Sequence, residues 1–169
     1  MMPARERTAA GMVLFFILAA FTLETYFVLN SGRLAERRDL AARAFAFYGQ
    51  GDRGYYDRVT TLERGLESFN ILFTQPLNIL LLWGIVRRRL WRYPLQLGVC
   101  SYVSYSTALY LVSNHWTGYA EMPRHDLASF LIFYVPNLPW LAGNAWLAWD
   151  AGRAIGSAFR AIERPAPSI

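Results

Sequence analysis

Two glutamates lie where an apolar chain has most reason to avoid them. Glu67 opens the run GLESFNILFTQPLNILLLWGIV (residues 65–86), and Glu24 sits inside GMVLFFILAAFTLETYFVLN (residues 11–30) with apolar residues on both sides. Each run is long and apolar enough to cross a bilayer, and an ionisable side chain there is costly enough to suggest function. Glu67, Asn70, Thr74 and Asn78 fall at i, i+3, i+7 and i+11, one face of a helix, with Phe, Ile and Leu on the other side. Two carboxyl groups brought together in apolar surroundings repel when both are charged, so one of them keeps a proton near neutral pH. The chemistry on offer is proton donation beside a proton acceptor.

Other residues point the same way. Asn137, Trp140 and Asn144 stand at i, i+3 and i+7 in a fourth apolar run, where Trp140 lies near the middle and offers a π face to a cation. Pro136 and Pro139 disrupt the helix there and free carbonyls that a cavity or a neighbour must satisfy. The third run adds Tyr105, Thr107 and Tyr110, while its serines 101, 104 and 106 suit close helix approach. The expected site is an apolar, lipid-accessible cavity with two acids, an asparagine and aromatic rings. It suits an apolar molecule that carries positive charge, such as an amine, or develops it, such as a protonated alkene. No intramembrane histidine stands ready to serve a serine nucleophile or bind zinc.

The elements that position these residues follow from the apolar pattern. The 169 residues are 54% hydrophobic and 16% aromatic, and the apolar residues gather in four blocks separated by arginine-rich connections. That pattern predicts an all-α, integral-membrane four-helix bundle in one domain, with spans at about 11–30, 65–86, 94–114 and 127–149. Residues 31–64 form a long polar connection with seven arginines and five acids, in which 40–48 reads as a short amphipathic helix at the interface. Residues 151–169 read as a polar tail. A cleaved signal peptide would fit the basic start, but the first run continues past Glu24, too far for a signal's apolar core, so a retained helix is expected. Four spans put both termini on one side. The basic leader, the arginines of 87–92 and the tail then share that side, which reads as cytoplasmic.

Composition removes several classes. The net charge is +5 and every cation is arginine, so Schiff-base chemistry at a lysine and a P-loop lysine are both excluded. The arginines flank apolar spans, which marks topology and gives no reason to invoke nucleic acid. The single cysteine, Cys100, allows no disulfide framework, and His115 and His125 do not match a zinc spacing, so no metal site is expected. The arginine- and alanine-rich composition suggests a bacterial inner membrane; a eukaryotic source would place the chain in the endoplasmic reticulum.

Several stretches carry a family resemblance: Glu24 followed by TYFVLN, FYGQGDRGYY at 47–56, Glu67 with Pro76 and Leu77 beyond it, PLQL at 94–97, YSTALYL at 105–111, and FYVPNLPWL at 133–141. In this order they resemble the emopamil-binding protein family, the EXPERA membrane domain shared by sterol Δ8–Δ7 isomerase and the sigma-2 receptor, and stand nearer the isomerase branch. The resemblance implies a four-helix fold around a sterol-sized cavity, often in a homodimer, with no cofactor. It implies that acids matching Glu24 and Glu67 protonate an alkene and remove a neighbouring proton. A tryptophan matching Trp140 would stabilise the carbocation, and an asparagine matching Asn137 would orient acid and ligand. The chain departs from the isomerase pattern at Ala20, where the isomerases carry a histidine one turn before the first acid, and at Thr107, where they carry an acid.

The function expected is therefore that of a membrane isomerase shifting a double bond in a sterol-like or other terpenoid lipid. Catalysis would rest on Glu24 and Glu67, with Asn137, Trp140, Tyr105, Thr107, Tyr110, Asn70 and Thr74 around the substrate. The alternative is a non-catalytic binder of sterols or cationic amphiphiles.

Overall fold

Apolar periodicity and well-placed caps produce a wholly helical chain. A computed structural model describes residues 2–163, and among these there are five helices and no strand. They are α1 (Ala4–Asn30), α2 (Leu40–Tyr48), α3 (Thr61–Val86), α4 (Arg92–Trp116) and α5 (residues 127–162). The starts of α2, α3 and α5 are set by local chemistry. Asp39 accepts from the Ala42 amide, Thr60 from Leu62 and Asp126 from Ser129, each satisfying an amide that the first turn would leave bare.

Helices α1 and α3 are long and apolar enough to cross a membrane. In α4 and α5 the Ser, Tyr, Asn and Pro residues lower the hydropathy below that mark. All four long helices nonetheless feed one apolar core: Val13, Phe16 and Ile17 from α1, Leu81 and Ile85 from α3, Cys100 from α4 and Leu147 from α5. A second cluster forms towards the other end, where Tyr110 and Phe133 pack with Met122 of the α4–α5 loop.

At both ends the helices run on beyond the expected spans. The segment before residue 11 is helical from Ala4, and α5 continues past residue 149 to Ile162. The physical reason is ion pairing. Arg5 pairs with the buried Asp150, and the buried Arg92 reaches Glu6 at 2.9 Å, so the expected polar leader is tied to α4 and α5. Ala9 joins the core directly behind it. The end of the expected polar tail, from residue 164 on, lies outside the described residues.

Each of three long helices contains one π turn: Ala20–Glu24 in α1, Asn70–Thr74 in α3 and Pro139–Gly143 in α5. A π turn inserts one extra residue and shifts everything beyond it around the helix axis. In α5 Pro139, lacking an amide proton, interrupts the regular ladder. In α1 the Thr25 hydroxyl donates to the Ala20 carbonyl at 2.9 Å, satisfying one acceptor within the irregular turn.

The connection between α1 and α3 folds back on the helices. Its Gly51 docks on α5, and the docking depends on glycine. A Cβ at Gly51 would lie 2.7 Å from the Phe133 amide nitrogen and 3.0 Å from the Ser129 carbonyl oxygen. Gly51→Ala is therefore expected to lower stability by about 1–3 kcal/mol. Gly152→Ala, on α5 with nothing within 4 Å of the new methyl, should be neutral or stabilising. Thermal midpoints of the two variants in detergent would check this. Equal midpoints would mean that the loop does not dock as described.

Candidate active site

Between the two apolar clusters lies a cavity of about 330 Å³. Its walls come from every helix. Leu23, Glu24 and Phe27 of α1 face Leu66, Glu67 and Asn70 of α3, Tyr102, Thr107 and Tyr110 of α4, and Asn137 and Trp140 of α5. Phe45, Phe47 and Tyr48 of α2, with Tyr55 beyond it, complete the wall. Helix α2, expected as a helix lying at the interface, thus gives one face to the cavity.

Glu24 of α1 and Glu67 of α3 bring their carboxyl groups to the same cavity, near enough to act on each other's charge. Two such groups in apolar surroundings repel when both are charged, which favours one proton held between them. Each partner is separately held. The Asn70 amide donates to Glu24, the Gln75 amide donates to Asn70 at 3.1 Å, and the Asn78 amide donates to Gln75 at 3.2 Å. Gln75 is fully buried and Asn78 nearly so. This chain of amides fixes the Glu24 side of the pair. On the other side, the Tyr55 hydroxyl donates to Glu67 at 2.6 Å. Burial, and then the charge of Glu67, pushes the Tyr55 hydroxyl well above the usual phenol range, so it stays a donor.

A second polar group sits above. The Asn137 amide donates to the Tyr48 hydroxyl at 2.9 Å and to the Phe133 carbonyl at 2.7 Å. Tyr48 and Tyr110 both line the cavity here, and Tyr110 donates to Asp52. Asp52 also accepts from the Gly54 amide at 2.8 Å. Trp140 is stacked on Phe16 with ring centroids 4.7 Å apart, which covers one of its faces.

The sequence-based set divides into two. Glu24, Glu67, Asn70, Thr107, Tyr110, Asn137 and Trp140 all line the cavity. Tyr105 does not; it is 66% exposed on the far side of α4. Thr74 is buried behind the wall and does not line the cavity either, because the π turn Asn70–Thr74 breaks the i, i+3, i+7 register on which it was chosen. Asn144 turns its amide back to the Trp140 carbonyl at 2.9 Å. The π turn Ala20–Glu24 similarly makes Ala19, not Ala20, the wall residue before Glu24. Sequence reasoning missed Tyr48, Asp52, Tyr55 and Gln75 as parts of the site. The available signal was the interleaving of acid, tyrosine and glycine in FYGQGDRGYY.

A family model described as EBP: EXPERA (EXPanded EBP superfamily) matches residues 40–151. The matched stretch includes Tyr48, Asp52, Tyr55, Glu67, Asn137 and Trp140, and it begins after Glu24. No curated protein matches the chain.

Asp52 provides a test of the loop that closes the site. Its burial raises it above the usual carboxylate range against the opposing effect of the Tyr110 and Gly54 hydrogen bonds. A carboxyl raised in the folded state contributes stability at pH below its unfolded value, and loses that contribution as pH rises through the folded value. Asp52→Asn is expected to flatten the fall in thermal midpoint as pH rises above about 4. Asp52→Ala, which strands both donors, should cost about 1–3 kcal/mol at every pH. Identical pH profiles for wild type and Asp52→Asn would contradict this account.

Proposed function

The chain belongs to the EXPERA (expanded EBP) superfamily, and on that premise we propose that it is a membrane isomerase of the sterol-isomerase branch, moving a double bond in a sterol-like or other terpenoid lipid. The superfamily includes sterol isomerases and sigma receptors, and its proteins are membrane proteins that bind apolar lipids. In this reading the chain is a four-span bundle with spans near 11–30, 65–86, 94–114 and 127–149 and both termini on one side. The Arg5–Asp150 and Glu6–Arg92 pairs support it, since they gather the N-terminal residues, the arginine-rich turn and the end of α5 at one end.

The observation that carries the proposal is that Glu24 and Glu67, held by Asn70 and Tyr55, line one apolar cavity together. The protonated carboxyl gives its proton to one alkene carbon. The π electrons form the new C–H bond and leave a cation on the other carbon. The partner carboxylate then removes a proton from a carbon adjacent to the cation, and that C–H pair becomes the shifted double bond. Protons and electrons balance, and nothing is oxidised or reduced. The proton then passes from the one carboxyl to the other, which resets the pair. Trp140 and the ionised carboxylate stabilise the cation, and the apolar wall keeps away water that would trap it. Asn70 and Gln75 orient Glu24, and Tyr55 orients Glu67.

One observation favours a second reading. The same carboxyl pair and the Trp140 ring would hold the ammonium group of a cationic amphiphile without any turnover. Deuterium separates the two readings. Candidate lipids incubated with the protein in D₂O should acquire label at the new C–H position if the protein is an isomerase, and none if it only binds. Glu24→Gln and Glu67→Gln should each lower turnover by at least about 10²-fold while leaving the helical content unchanged. Wild-type rates in both variants would overturn the mechanism.

A further inference from the structure

A second cavity, of about 770 Å³, opens between the end of α1, the loop at 56–60 and the first turn of α3. Its character is opposite to that of the first. Three arginines line it, Arg33, Arg58 and Arg64, and none of them forms an ion pair among the described residues. Other arginines of the same connection are engaged: Arg37 with Asp39, and Arg53 with Asp57. Asp57 also lines the cavity, but its carboxylate is held by Arg53 and kept below the usual range by that contact. Glu36 is the remaining acidic wall residue. Three guanidinium groups thus face one carboxylate that no wall arginine neutralises. The N-terminus of α3 opens into the same space through Thr60 and Thr61, adding the positive end of a long helix dipole.

We propose that this cavity takes a phosphate group, with Arg33, Arg58 and Arg64 as its charge-assisted donors and the hydroxyls of Thr61 and Ser68 alongside. A guanidinium fork matches phosphate oxygens two at a time, and three forks suit a group with several oxygens and up to two charges. The phosphate has two possible sources. One is the headgroup of an anionic lipid, since the cavity lies at the ends of two helices long enough to span a bilayer. The other is the free ion. The site also gives a reason for unpaired arginines in the long connection, where as topology signals they oppose those of the 87–92 turn.

The experiment is a thermal-shift titration of the full chain in a zwitterionic detergent, with short-chain phosphatidylglycerol, short-chain phosphatidylcholine and inorganic phosphate as probes. A shift with phosphatidylglycerol at concentrations where inorganic phosphate gives none supports the site and assigns it to lipid. A shift with both supports the site and assigns it to the free group. Arg58→Gln and Arg64→Gln should each weaken the response about fivefold at low salt, and added salt should weaken the wild-type response in the same direction. Glu36→Gln should strengthen it, an outcome that misfolding cannot imitate. The proposal falls if neither anionic probe shifts the midpoint. It also falls if phosphatidylcholine matches phosphatidylglycerol, or if the arginine and Glu36 variants respond as wild type does.

Discussion

The need to keep two carboxyl groups together in apolar surroundings sets the terms for much of this protein. Glu24 and Glu67 come from different helices and meet at the edge of an apolar cavity. Two charges there would repel and would lack water, whereas a pair sharing one proton carries a single charge and satisfies its own acceptors. The surroundings are built around that pair. A ladder of buried amides runs from Glu24 through Asn70 and Gln75 to Asn78, and a tyrosine donates to Glu67 from the other side. Each donor stabilises the pair only because it is itself held, so the site and the helix packing form one polar network.

The broad outline was legible in the sequence. Hydropathy and arginine placement pointed to long helices, and the costly carboxylates in apolar runs pointed to Glu24 and Glu67. The spacing of Asn137 and Trp140 identified their common wall. What periodicity could not reveal were the three π turns, because regular 3.6-residue spacing assumes that no residue is inserted. That assumption selected Thr74, which the structure leaves behind the wall, and the π turn of α1 likewise gives Ala19 to the wall before Glu24. Tyr105 lies away from the cavity for a simpler reason: a tyrosine in an apolar helix can face either way, and this one faces outward.

The loop contributions were harder still. Tyr48, Asp52 and Tyr55 reach the site by way of a fold-back that no local pattern encodes. It depends on Gly51 approaching the backbone of α5 and on Asp52 finding Tyr110, a partner far away in the chain. Gln75 escaped notice because it lies off the face that Glu67, Asn70 and Thr74 define by spacing, yet in α3 it bridges Asn70 and Asn78. Such contacts belong to tertiary structure and become visible only once the helices are placed.

The two ends of the molecule also differ in mechanical character. At one end Arg5 grips Asp150, Arg92 grips Glu6, and Gln96 adds bonds to the Leu147 carbonyl and to Asp150, so α1, α4 and α5 are stapled together. At the other end the cavity is walled by a nine-residue helix and a loop whose Gly51 sits against the backbone of α5. One end of the bundle is thus held by charge and amide pairing between long helices, and the other by close packing of a short helix and a loop, so ionic strength and side-chain bulk act on opposite ends of the molecule.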